Sequence, residues 1–354
     1  MKMKQPILFK IVGTAVLLML LVGASCEHTS RTESKDTSSN NVSANCRLAF
    51  YNVENLFDIV DDPKTMDEDF TPDGKLHWNE ERYTTKLNRL ADVFDAFPGE
   101  LPAFIGLCEI ENKSVLLDLV KENKLRDGHY AVIHNDSPDE RGIDVAAIYD
   151  STKVKVEYFN YTTINLPDDK DPFTRDLLYA KVKSNDEVIH LFVNHWPSRG
   201  GGQAESEKNR IAVANVLHSL TKKIIDADGD AKIVIMGDFN DYPTDKSIAG
   251  VLNAGVEKTN DFFNFMYDDH ASKMGSYFYK GEWGALDQFM ASKGLKDSTK
   301  GWSAGNDDAK IFLNDLVLFQ DKEGVKRPNR TYAGDDYKGG YSDHLAIYLD
   351  LHWN

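Results

Sequence analysis

Apolar residues follow two rhythms along this chain. From Arg47 onward, short apolar runs alternate with stretches in which apolar side chains recur at helical spacing. The runs include RLAFYN (Arg47–Asn52), PAFIGLCE (Pro102–Glu109), then YAVIH, IDVAAIY and KVKVEYF before residue 160. LLYAKVK, EVIHLFVNHW, AKIVIMGDFN and the closing HLAIYLDLHW continue the series. Runs this short and this rich in Val, Ile, Phe and Tyr predict strands. LLYAKVK and EVIHLFVNHW flank Ser184-Asn185-Asp186, which predicts a hairpin. Asn79–Phe97 carries Tyr83, Leu87, Leu90, Phe94 and Phe97 on one helical face. Glu205–Ile225 does the same with Ile211, Val213, Val216, Leu217, Leu220 and Ile224. Short helices are predicted at Ser114–Glu122 and after Thr244, and weaker strands at Ser276–Tyr279, Leu286–Met290 and Leu313–Phe319. Lys293–Gly340 is rich in Gly, Asp and Lys and carries the weakest pattern. No internal repeat and no Pro/Gly-rich linker interrupts the series. The pattern predicts one α/β domain over 47–354, with two layers of sheet flanked by helices.

The first residues follow a different pattern. Lys2, Lys4 and Lys10 precede an apolar run from Ile11 to Val22, followed by Gly23-Ala24-Ser25-Cys26. A basic start, a short apolar stretch and a small-residue zone predict a signal peptide over 1–25, with the sulfur of Cys26 lipidated. Gly23 departs from the Leu usual at that place, so ordinary cleavage nearby, or an uncleaved anchor, stays open. Residues 26–46 are dominated by Ser, Thr and Asn and predict a lipidated flexible tether. These features predict an exported lipoprotein, periplasmic or at the cell surface, held to the outer membrane through Cys26 and monomeric, with no protein partner implied. An oxidising compartment would permit a Cys46–Cys108 disulfide, which two cysteines alone do not establish.

Polar residues recur where the apolar runs stop. Asn52 ends one, Glu109 a second, His195 a third, Asp238 and Asn240 a fourth, and Asp343-His344 opens the last. In IVIMGDFNDYP (Ile233–Pro243), Asp238 and Asn240 stand two apart, so both face one side of an extended chain. Any one of these could be a turn or capping residue, as Asp245 near a predicted helix start would be. Together they suggest one shared rim. Carboxylates and carboxamides without thiols suit hard cations: Mg²⁺, with Mn²⁺ or Ca²⁺ as alternatives. Histidines beside such a site suit proton transfer or the stabilisation of developing charge, so the set points to attack on a phosphate ester.

At these residues the sequence resembles the endonuclease/exonuclease/phosphatase superfamily. The matching stretches are FYNVEN (Phe50–Asn55), CEIEN (Cys108–Asn112), VNHWPSR (Val193–Arg199), GDFND (Gly237–Asp241), LDQF (Leu286–Phe289) and SDH (Ser342–His344), in the family's order. The resemblance implies a four-layered α/β sandwich, with two mixed β-sheets packed face to face and flanked by helices. It implies Glu109 as principal metal ligand, with Glu54 and Asp343 on the metal side. Asn52 would lie beside metal and phosphate. Asp238 would orient or activate water, and Asn240 would bind phosphate or that water. His195 would stabilise the transition state, and His344 would act as acid or base, oriented by Asp287. Arg141 and Asp144, in RGIDVAAIY, are candidates for phosphate contact or site support, with a strand-edge salt bridge as the alternative. Arg199, before Gly200-Gly201-Gly202, reads as the cation of a mobile substrate loop or as part of a plain connection into the long helix.

Charge bears on the substrate. The formal charge of −16 becomes −19 once Lys2, Lys4 and Lys10 are removed with the leader. Tight tracking along nucleic acid normally uses clustered Lys and Arg, so this acidity argues against it without excluding a nuclease. The resemblance implies a divalent-metal-dependent phosphodiester hydrolase, first of all an exported endo- or exonuclease on DNA or RNA. The alternatives are a phosphatase or phosphodiesterase on small or lipid phosphoesters, of inositol phosphate or sphingomyelin type, and a non-catalytic binding protein on the same scaffold.

Overall fold

The computed structural model describes residues 45–167 and 173–354. The leader, Cys26 and the tether up to residue 44 lie outside them. The first strand begins at Asn45, two residues ahead of the predicted start.

Eight strands and three helices position the site. They are β1 (Asn45–Leu56), α1 (Glu80–Asp95), β2 (Phe104–Ile110), α2 (Lys113–Leu119), β3 (Tyr130–Ile133), β4 (Asp144–Asp150), β5 (Lys155–Thr162), β6 (Leu177–Ser184), β7 (Glu187–His195), α3 (Gln203–Ala227) and β8 (Ile233–Asp238). The first sheet runs Trp302–Ser303, Ile347–Trp353, β1, β2, β4, β3, with Ala309–Ile311 also paired to Ile347–Trp353. The second runs β5, β6, β7, β8, Asp287–Ser292, Phe262–Asn264, Ala254–Gly255. Each is mixed: β1 and β2 are parallel, as are β7 and β8, and both pairs have antiparallel neighbours.

Period-two alternation sorts the side chains into layers. Leu48 and Phe50 of β1 meet Val193, Val234 and Met236 in a core between the sheets. Ala49, Tyr51 and Val53 point the other way, onto Leu87, Leu90 and Phe94 of α1. In β8, Val234 and Met236 face the central core, while Ile233 and Ile235 meet Val213 and Leu217 of α3. Strands covered on both faces must be apolar throughout, which is why IVIM reads as an unbroken run. The result is four layers: helix, sheet, sheet, helix. At Gly106 the sheets come too close for a side chain. A Cβ there would lie 2.8 Å from a Val193 methyl and 2.9 Å from the Met236 sulfur.

The β6–β7 hairpin turns on Asn185 and Asp186, both left-handed (φ 47° and 63°), the conformation a tight two-residue turn requires. One expectation is corrected and one open question is answered. Leu313–Phe319 is not one strand: a 3₁₀ turn over Asp315–Val317 leads into a short strand, Leu318–Gln320. Cys46 and Cys108 are both free and buried. Cys108 pairs with Asn52, six residues along β1 from Cys46, so the two thiols lie about 20 Å apart along the strand direction. No disulfide spans such a gap.

Candidate active site

The parallel pairs deliver their C-terminal ends to one place. Asn52 sits opposite Cys108, the residue before Glu109, while Asp238 is in register with both His195 and Asp287. Beyond these points the ladders of β1 and β2 shift register, between Asn52 and Leu56 and between Cys108 and Ile110. Bulges of this kind re-aim side chains. Glu54, Asn55, Glu109 and Asn240 all have positive φ (52°, 57°, 63° and 49°). That region is ordinary for Asn and uncommon for Glu.

One amide links the two halves. Asn52 Nδ2 donates to Asp238 Oδ2 at 3.1 Å and to Glu109 Oε1 at 3.4 Å. Glu109 Oε2 accepts the Asn55 N–H at 2.9 Å, and Asn55 Oδ1 accepts from Arg141 at 2.9 Å. His195 Nε2 lies 3.8 Å from Asp238 Oδ2 and 4.0 Å from Glu109 Oε1. Across the site, His344 Nδ1 meets Asp287 Oδ2 at 2.6 Å, while its Nε2 lies 3.7 Å from Asp238 Oδ2. Ser276 donates to the same Asp287 oxygen. Ser342 Oγ donates to the Asn52 carbonyl at 2.7 Å and accepts the His344 N–H at 3.1 Å, so β1 and the last strand hold their site residues jointly.

The acids expected on the metal side line a cleft of about 400 Å³ with Glu54, Asn55, Glu109, Arg141, Arg330 and Asp343 on its walls. Glu54 is set back and engaged. Its oxygens accept the N–H groups of Thr331 (2.5 Å) and Tyr332 (3.3 Å), and Arg330 lies 3.5 Å away. Arg330 also pairs with Asp343 at 2.8 Å.

Environment separates the two histidines. Burial, then Arg175 and Arg141, holds His195 well below the usual imidazole range, so it is neutral. Burial would depress His344 as well, but Asp287 and Asp238 outweigh it and hold this imidazole well above its usual range. Burial raises Asp238 to about 6, with His344 opposing and Asp287 adding to the shift. Burial and, after it, neighbouring carboxylates also raise Glu54 and Asp343.

Asn240 donates its amide to the Trp196 carbonyl at 3.0 Å, and its N–H goes to Asp238 at 2.9 Å. Arg199 already has partners within the chain. Its guanidinium bonds the Asn240 carbonyl (2.7 Å) and Asp245 (2.9 Å) and lies over the Tyr242 ring at 4.0 Å. It braces the turn after β8, and substrate contact would have to displace these bonds. Asp245, expected to cap a helix, accepts the Tyr242 N–H and Arg199 instead. Asp144 is engaged by His134 (3.0 Å) and the Ser137 N–H (2.8 Å).

A family model described as Endonuclease/Exonuclease/phosphatase family matches residues 47–353. The chain belongs to the endonuclease/exonuclease/phosphatase family. No curated protein matches it. Among solved structures it is similar to an endonuclease/exonuclease/phosphatase family protein of Bacteroides thetaiotaomicron, at 13% identity over 88% of this chain and 99% of that one, with a TM-score of 0.54. It is also similar to a mannosyl-6-phosphatase of the same organism, at 13% identity over 86% and 99%, TM-score 0.53. A third is D. rerio TDP2 complexed with single strand DNA product, at 16% identity over 87% and 99%, TM-score 0.52. At these identities the likeness is one of fold.

Several residues of this family member escape the sequence pattern. Lys86 is 1% exposed, and its Nζ donates to Thr331 Oγ1 and the Tyr341 carbonyl, both at 2.6 Å. The pattern does hold one signal for it: position 86 lies on the apolar stripe of α1, between Tyr83 and Leu90. Burial lowers its pKa to about 8, against the pull of Glu54, Asp343 and Glu109. Arg175 bonds Asp139 and the Trp196 carbonyl next to His195. Arg330 and Tyr277 come from stretches with little periodic signal.

Proposed function

We propose that this family member is a divalent-metal-dependent phosphodiester hydrolase, exported and anchored through Cys26, whose substrate is DNA or RNA. What carries the reading is one continuous row of polar side chains, Asp287–His344–Asp238–Asn52–Glu109, with His195 against both carboxylates. The donor set fits a hard cation. Glu109 and Asp343 are oxygen donors that repel one another beside an open cleft, with no thiol among the cleft-lining residues. Glu109 and Asp343 would hold Mg²⁺, Mn²⁺ or Ca²⁺, with Glu54 supporting from behind through Arg330. When bound, the cation would draw negative charge from the phosphate oxygens.

The chain's own groups then divide the work. Asp238, as a carboxylate held by Asn52 and the Asn240 N–H, takes the proton of the attacking water. Neutral His195 donates a hydrogen bond to the charge developing on a phosphate oxygen. Cationic His344, fixed by Asp287, supplies a proton to the departing oxygen. Arg141 at the rim contacts a phosphate. The net acidity favours a second reading, a small or lipid phosphoester that needs no extended basic track.

The test is a panel of plasmid DNA, RNA, sphingomyelin and inositol phosphates, each with Mg²⁺, Mn²⁺ or EDTA. Cleavage of a nucleic acid that EDTA abolishes is expected. Metal-dependent turnover of lipid or inositol phosphates alone selects the second reading. No turnover on any member leaves only a binding protein.

A further inference from the structure

A hairpin, Tyr277–Tyr279 paired with Glu282–Gly284, rises directly from the catalytic histidine. Tyr277 is bridged to His344 through the backbone, and the Leu345 N–H donates to the Ser276 carbonyl at 2.7 Å. The Tyr277 ring lies 4.7 Å from the His344 ring, centre to centre. Tyr279, two residues on and therefore on the same face, runs nearly parallel to Tyr277 at 16°, with ring centres 6.3 Å apart. Tyr279 is 59% exposed. Phe278 points to the opposite face and packs on Trp283. Lys280 Nζ stands 5.1 Å over the Tyr279 ring. The fold therefore holds two aligned rings in a line leading away from His344, with a cation at the far end. Nothing in the reaction described above uses them.

We infer that Tyr277 and Tyr279 form a stacking shelf for a nucleobase of single-stranded nucleic acid, on the His344 side of the scissile phosphate. The inference rests on the hydrolase reading and names its substrate class. A flat ring beside a phosphate matches parallel aromatic planes tipped by hydroxyls and an ammonium. An acyl chain calls for a continuous apolar trough. Stacking also needs no basic track, which reconciles a nucleic acid substrate with an acidic protein. The hairpin tip, Lys280-Gly281, has positive φ at both residues (49° and 90°), so the turn is tight and fixes Tyr279 one ring beyond Tyr277.

The experiment compares a short oligothymidylate with an abasic-spacer oligomer of equal length, by anisotropy for binding and by initial rates for KM and kcat with Mn²⁺. The wild-type chain should prefer the base-bearing oligomer by about tenfold or more, the scale of one base–aromatic stack. Tyr279→Leu, which keeps apolar area and loses the ring, should remove most of that preference in KM and Kd. Tyr279→Trp should retain it. An undiminished preference in the Leu variant, or none in the wild type, overturns the shelf. So does loss of sphingomyelin turnover in Tyr279→Leu without any oligonucleotide preference. A ring-dependent binding preference without cleavage of any ester keeps the shelf and sinks the hydrolase reading.

Discussion

Asp238 and His344 sit 3.7 Å apart and are both largely buried. Their proton affinities set the pH response. Asp238 is raised to about 6, above the ordinary carboxylate range, and must lose its proton to act as base. Activity is therefore absent well below that value and rises as pH climbs through about 6. A kcat/KM profile that is flat across this range would remove Asp238 from the proton transfer. His344→Ala or Asp238→Asn should each lower kcat at least about a hundredfold, the usual contribution of a positioned acid or base. Near-normal turnover in either variant would undo the assignment. Asn52, Glu109, His195, Asp238 and His344 were legible because each stands where an apolar run stops or starts. Arg175 and Arg330 were not, because a single cation outside any apolar period carries no signal of its own, and for buried Lys86 the one signal was its place on the apolar stripe of α1.

At the level of elements, α1 does more than cover the first sheet. Lys86 ties it to Thr331, whose N–H holds Glu54, and to Tyr341, two residues before Asp343. Lys86→Ala should cost about 3 kcal/mol in denaturant unfolding, because it leaves buried acceptors and carboxylates without their cation. Lys86→Met, which fills the space, should cost less in stability while still weakening metal binding. The sheets make a separate demand at Gly106. Gly106→Val should cost about 1–3 kcal/mol by overpacking against Val193 and Met236. Strand periodicity located the long strands of the two sheets and missed the short ones at Ala254–Gly255, Phe262–Asn264, Trp302–Ser303 and Ala309–Ile311. It did not reveal the register shifts at Asn52–Leu56 and Cys108–Ile110 that turn Glu54, Asn55 and Glu109 toward the cleft. A bulge inserts one residue and leaves the hydrophobic count almost untouched. Leu313–Phe319 misled because its apolar residues flank a turn, with Leu313, Leu316 and Phe319 exposed and Val317 buried.

For the molecule as a whole, metal and charge are the accessible readouts. Mg²⁺ or Mn²⁺ at about 100 times its Kd should stabilise the folded state by about 2.7 kcal/mol, and Glu109→Gln should erase the resulting rise in Tm. A rise of the same size in that variant would place the cation elsewhere. What the sequence determined by itself is the set of elements, their burial on one face or two, and the polar residue at each strand's end. These are local properties, written in spacing and composition. The tertiary structure alone decided which ends meet and which charges pair. Strand order brings Asn52 between Glu109 and Asp238 and puts Arg330 across Glu54 and Asp343. It spends Arg199 on Asp245 and keeps Cys46 from Cys108. Such pairings depend on register between segments tens to hundreds of residues apart, and no local pattern encodes that register.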